Sequence, residues 1–125
     1  MNPLPFAATF DALAHIVEEV RYAASNAEFA DMVPSLCWCF DNTFWEPRTG
    51  SMEHIPYEHY FIGWYRPEDV TDFVEVDILG TKVYVHRMTL DGLVGKRLVL
   101  STVDSFGNPK VGSERKLLIA IADAA

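Results

Sequence analysis

The segment Asp72-Phe73-Val74-Glu75-Val76-Asp77-Ile78-Leu79-Gly80-Thr81-Lys82-Val83-Tyr84-Val85-His86 is best satisfied by a β-hairpin turning at Leu79-Gly80. A two-residue loop there sets Val76 opposite Val83 and Val74 opposite Val85, so one face is apolar. The same register sets Asp77 opposite Lys82 on the other face. Apolar and charged pairing agree, which is how register is fixed. Gly80 supplies a positive φ. Leu79 is a poor residue for a type I′ turn, which leaves the turn type open.

Upstream, Tyr57 to Tyr65 carries His59, Phe61 and Tyr65 on one face and Tyr60, Ile62 and Trp64 on the other. A strand apolar on both faces belongs at the centre of a sheet. Arg66-Pro67-Glu68-Asp69 then turns the chain. Ser35 to Trp45 is a further strand, with Leu36, Trp38 and Phe40 on one side and Cys37, Cys39 and Asp41 on the other; Asn42-Thr43 is a possible break in it. Pro47-Arg48-Thr49-Gly50-Ser51 is loop chemistry, and the loop runs on to about Pro56.

The chain opens with a helix capped by Thr9, with Phe10, Leu13, Val17, Val20 and Ala24 at helical spacing. Ser25-Asn26-Ala27-Glu28 reads as a capping box for a short helix bearing Phe29 and Met32, which Pro34 ends. Downstream, Met88 to Lys96 is a connection with Leu90 and Leu93 facing inward, and Arg97 to Val103 is a strand. Asp104-Ser105-Phe106-Gly107-Asn108-Pro109 is a turn. Leu117 to Ala122 is either a strand or a short helix, because periodicity cannot decide so short an apolar run. The expected fold is α+β: N-terminal helices on a mostly antiparallel sheet of about five strands, in one domain spanning residues 1–125.

Ten basic against eighteen acidic side chains give a formal charge of −8. That speaks against binding to a nucleic-acid backbone, which needs clustered Lys and Arg; Lys96-Arg97 and Arg115-Lys116 are the densest basic spots. It favours a basic protein partner. No run reaches the roughly 18 apolar residues of a membrane span, and Met1 to Ala8 is not a signal segment. Cys37 and Cys39 on one strand face lie ~6.6 Å apart, poor geometry for a disulfide. Cytoplasm is therefore the expected compartment.

Four residues carry the metal alternative. Cys37 and Cys39 are soft ligands for zinc, copper(I) or an iron–sulfur cluster, and His54 and His59 are the candidates to complete the set. Without metal, the two cysteines act as small core residues. Glu53-His54 and Glu58-His59 flank Ile55-Pro56-Tyr57, and Pro56 rules out the continuous helix of a two-histidine zinc motif. His15 forms a surface cluster with Asp11 and Glu19, and His86 ends a strand opposite Phe73. Trp38 and Trp64 are assigned to the core. Trp45, beside the loop, is the aromatic expected outside, and with Glu53 and Glu58 it makes the candidate interaction surface.

Val74-Glu75-Val76-Asp77, Gly80-Thr81-Lys82-Val83-Tyr84-Val85 and the Leu-x-x-Leu-x-Gly run from Leu90 to Gly95 resemble the middle of the A-type iron–sulfur carrier (HesB-like) domains. Asn108-Pro109 stands near that family's Asn-Pro pair. The resemblance implies a barrel-like sheet and a cluster or metal function. The family's Gly-Gly-Cys loop has no counterpart and no cysteine follows Cys39, so only Cys37 or Cys39 carries over as a ligand.

Three functions are weighed. The first is a non-catalytic binding domain with a basic protein partner, such as an immunity-type inhibitor or an accessory subunit, able also to form a homodimer. This reading takes no cofactor. The second is a zinc- or iron-binding protein using Cys37, Cys39, His54 and His59. The third is an acid–base enzyme built on Glu53, His54, Glu58 and His59.

Overall fold

The computed structural model describes residues 4–46, 50–55, 58–102 and 117–123. Expectations for Pro47 to Thr49, Pro56, Tyr57, the 104–109 turn, Asn108-Pro109 and Arg115-Lys116 lie outside these residues.

The chain runs β1 (Ala7–Ala8), α1 (Phe10–Ala24), a 3-10 turn (Ala27–Phe29), β2 (Val33–Cys39), β3 (Asn42–Glu46), β4 (Ser51–Ile55) and β5 (His59–Tyr65). It continues through a second 3-10 turn (Pro67–Asp69), β6 (Val74–Ile78), β7 (Thr81–Val85), α2 (Arg87–Gly92), β8 (Lys96–Thr102) and β9 (Leu117–Asp123). The class is α+β as expected. The strand count is larger than the expected five: β1-β8-β9-β5-β2-β7-β6 form a seven-stranded sheet, and β3 and β4 form a separate two-stranded ribbon. Most neighbours are antiparallel; β1 with β8 and β2 with β7 are parallel. Among the described residues no pairing joins β1 to β6.

Thr9 caps α1 by accepting from the Ala12 amide through Oγ1 at 3.2 Å. The buried stripe is Ala12, Ile16, Val17 and Val20, whereas Phe10 stands exposed. Of the expected face, Val17 and Val20 are buried and Leu13 packs on the core, while Phe10 and Ala24 are exposed and Ala12 and Ile16 join the buried row. Asn26, not Ser25, caps the following turn, accepting from the Glu28 amide, and Ser25 donates to the Tyr22 carbonyl instead. Phe29 stacks on Trp64 with ring centroids 5.1 Å apart. Pro34 does not end this segment: it lies inside β2, which begins at Val33.

One face of the sheet carries the core, where α1 meets Leu36, Tyr60, Val76, Ile78, Val83, Val85 and Leu98. The central strand is β5, as its two apolar faces implied, held between β9 and β2. The 117–123 segment is resolved as strand, antiparallel to β8.

The β6–β7 hairpin has the expected register, Val76 on Val83, Val74 on Val85 and Asp77 on Lys82. The ion pair runs diagonally, however: Lys82 Nζ lies 3.3 Å from Glu75 Oε1. Asp77 Oδ1 instead accepts from the Gly80 amide at 2.8 Å. Both turn residues have positive φ, Leu79 at 50° and Gly80 at 86°, as a type I′ turn requires. A leucine there costs about 1–2 kcal/mol. Leu79 is exposed, so Leu79→Asn should raise the unfolding free energy by about 0.5–1 kcal/mol. Chemical denaturation would show this as a higher midpoint at unchanged slope.

Candidate functional site

The segment read as a loop from 47 to about 56 contains a strand. β3 and β4 pair Asn42 with Ile55, Thr43 with His54, Phe44 with Glu53, Trp45 with Met52 and Glu46 with Ser51. The chain breaks at Phe40-Asp41, not at Asn42-Thr43. Opposed residues in an antiparallel pair share a face. Thr43, His54, Trp45 and Met52 therefore form one face of the ribbon, and all four are exposed. On the other face, Ile55 is buried and Asn42 and Phe44 are half-buried.

The outer face presents a cross-strand pair of large apolar side chains, Trp45 at 58% and Met52 at 60% exposure. Trp38 and Phe40, where the chain enters the ribbon, are 50% and 61% exposed. The core assignment of Trp38 is thus corrected: β2 reaches past the last residue it pairs with on β7, Leu36 opposite Val85, so among the described residues no strand flanks Trp38 on that side. Trp64 is half-buried against the core. At the root of the ribbon His54 Nε2 meets Asp41 Oδ1 at 2.5 Å, an exposed pair of the kind that adds little stability.

The four metal candidates fall into two groups. Cys37 and Cys39 do project from the same face of β2, and the register sets Cys39 directly beside buried His59 and Cys37 beside Phe61. The sulfurs nevertheless lean apart. Cys37 Sγ lies 3.6 Å from the Ser35 carbonyl and 3.7 Å from the Tyr65 hydroxyl, toward the start of β2. Cys39 Sγ donates to the Asp41 carbonyl at 3.2 Å, toward its end. A metal shared by both would require at least one thiol to leave its contact. His54 sits on the ribbon with Asp41. Among the described residues no three His, Cys, Asp or Glu side chains gather to hold a metal ion.

Cys37 packs against Gly63, where a Cβ would stand 2.9 Å from Sγ and 3.4 Å from a Tyr65 ring carbon. The hydrogen bond to Cys37, then the charge of its thiolate, then burial push the Tyr65 phenol upward. Tyr65 and His86 both set their rings edge-on to Phe73. His86 also caps α2, its Nδ1 accepting from the Met88 amide at 3.1 Å. His15 lies 3.9 Å from Glu19 on α1.

Glu58 is half-buried at the approach to β5. Burial, and secondarily the Glu58 charge, push the Tyr60 hydroxyl from 10.0 up to about 12. The folded pKa exceeds the unfolded one, so the contribution is complete below pH 10 and is lost as pH rises toward about 12. Unfolding curves across that alkaline range should show a steeper fall for wild type than for Tyr60→Phe.

Sequence reasoning missed the ribbon because Ser51-Met52-Glu53-His54-Ile55 lacks clean alternation; Met52 opposite Trp45 was the signal available. No family description, curated protein or solved structure matches the chain.

Proposed function

We propose that the chain is a non-catalytic protein-binding domain that meets a basic partner through the outer face of the β3–β4 ribbon. The observation carrying this reading is the Trp45–Met52 pair, held outward on a ribbon whose other face is turned inward. Rigid aromatic and methionine side chains exposed together are what a binding surface needs, since burying them against a partner supplies the affinity. The net charge of −8 supplies the steering toward a basic surface. An immunity-type inhibitor or an accessory subunit fits this description. Two free thiols suit a reducing compartment such as the cytoplasm.

The test is affinity capture with wild type and Trp45→Ser/Met52→Ser as parallel baits, each retained protein being identified by mass spectrometry. A basic protein held by wild type only, and released by added salt, supports the reading. Equal retention by both baits overturns it. Self-association of wild type that the double variant abolishes replaces it with a homodimer through the same face.

A second reading is a zinc- or iron-binding protein related to the iron–sulfur carriers. The juxtaposition of Cys39 and His59 favours it, and the barrel closure it implies would need β1 to meet β6. Anaerobic purification with elemental analysis decides: stoichiometric zinc or iron that Cys37→Ala and Cys39→Ala remove supports it, and its absence ends it.

A further inference from the structure

The sheet ends on one side at β6, and among the described residues β6 pairs only with β7. The phase of that pairing follows from the turn. A two-residue loop makes Ile78 and Thr81 a hydrogen-bonded pair, and such pairs recur at every second residue. The backbone groups of Val74, Val76 and Ile78 are therefore spent on β7. Those of Glu75 and Asp77 point away, off the edge of the sheet.

The side chains are arranged in the same two sets. Val76 and Ile78 are buried toward α1. Glu75 and Asp77 are exposed, and Glu68, Asp69 and Asp72 are exposed along the turn leading into the strand. Among the described residues, Lys82 lies on the Glu75 carboxylate, and Arg66 stands just before the acidic turn in sequence. Carboxylates at alternate positions disfavour addition of a second copy, because two β6 edges would bring like charges together. They favour a strand with lysine or arginine at alternate positions.

The geometry points to strand addition: β6 accepts an extended basic segment of a partner protein as an eighth strand. Backbone hydrogen bonds at Glu75 and Asp77 hold it, and its cations lie along Glu75, Asp77 and Asp72. This rests on the partner being basic, as proposed above, but shares no residue with the ribbon.

The probe is a fluorescein-labelled nine-residue peptide alternating lysine with valine and threonine. Its binding is followed by anisotropy, with amide hydrogen exchange at Glu75 and Asp77 read by NMR. The lysine peptide should bind and slow exchange at those two amides by about tenfold or more. Glu75→Gln/Asp77→Asn, which keeps the turn acceptor, should weaken it about tenfold at low salt. A version with glutamate for lysine should not bind. A version methylated at every backbone nitrogen, equally charged but without amide donors, should also fail; equal binding by it overturns strand addition. Protection of the two amides without peptide, rising with protein concentration, overturns it in favour of a dimer. Trp45→Ser/Met52→Ser should bind the peptide as wild type does, so failure at the ribbon and failure at the edge are read separately. Loss of peptide binding in that variant overturns the edge assignment.

Discussion

Leu36→Ala should lower the unfolding free energy by about 2–5 kcal/mol, the range for emptying a buried leucine site. Leu36 is fully buried on β2, paired with Ile62 on β5 and Val85 on β7, beneath α1. Regular strands flank it on both sides and a helix covers it, so little can collapse into the space. Single domains are stable by about 5–15 kcal/mol in all, so the variant spends a large part of that margin. Urea denaturation checks it; a loss below about 1 kcal/mol would show that the site relaxes and that the core does not centre on β2.

The second large effect concerns the opposite face. Gly63→Val places branched carbon where even a single Cβ would meet Cys37 Sγ at 2.9 Å. Overpacking of this kind costs about 1–3 kcal/mol. The sulfur can move only by giving up its contacts with the Ser35 carbonyl and the Tyr65 hydroxyl. Cys37→Ala removes the obstructing atom, so the double variant Cys37→Ala/Gly63→Val should recover part of the loss. A double-mutant cycle measures the coupling; strictly additive costs would mean that the two side chains do not compete for the same space.

The β6–β7 hairpin was legible in the sequence because two independent patterns, valine on valine and Asp77 on Lys82, demanded one register. The central place of β5 was legible because both its faces are apolar. The ribbon was not: Gly50 and the polar Ser51 argue locally for a loop, and only pairing with Asn42–Glu46 makes 51–55 a strand. The shared side of Cys37 and Cys39 follows from strand geometry. The opposite lean of their sulfurs does not, because each rotates about its own χ1 to find a local carbonyl. Trp38 shows the same limit. Its side of β2 could be read, but not that the neighbouring strand stops short of it.

The order β8-β9-β5 has a bearing on how the chain acquires its structure during synthesis. β8 and β1 reach the rest of the sheet through β9, whose Ile119 pairs with Tyr60 of β5, some sixty positions earlier. A ribosome that has released everything up to β8 holds a chain with β5 exposed along one flank. Pairings between such distant segments form slowly. Until residues 117–123 emerge, that uncovered flank is the place where a chaperone, or another unfinished chain, would attach.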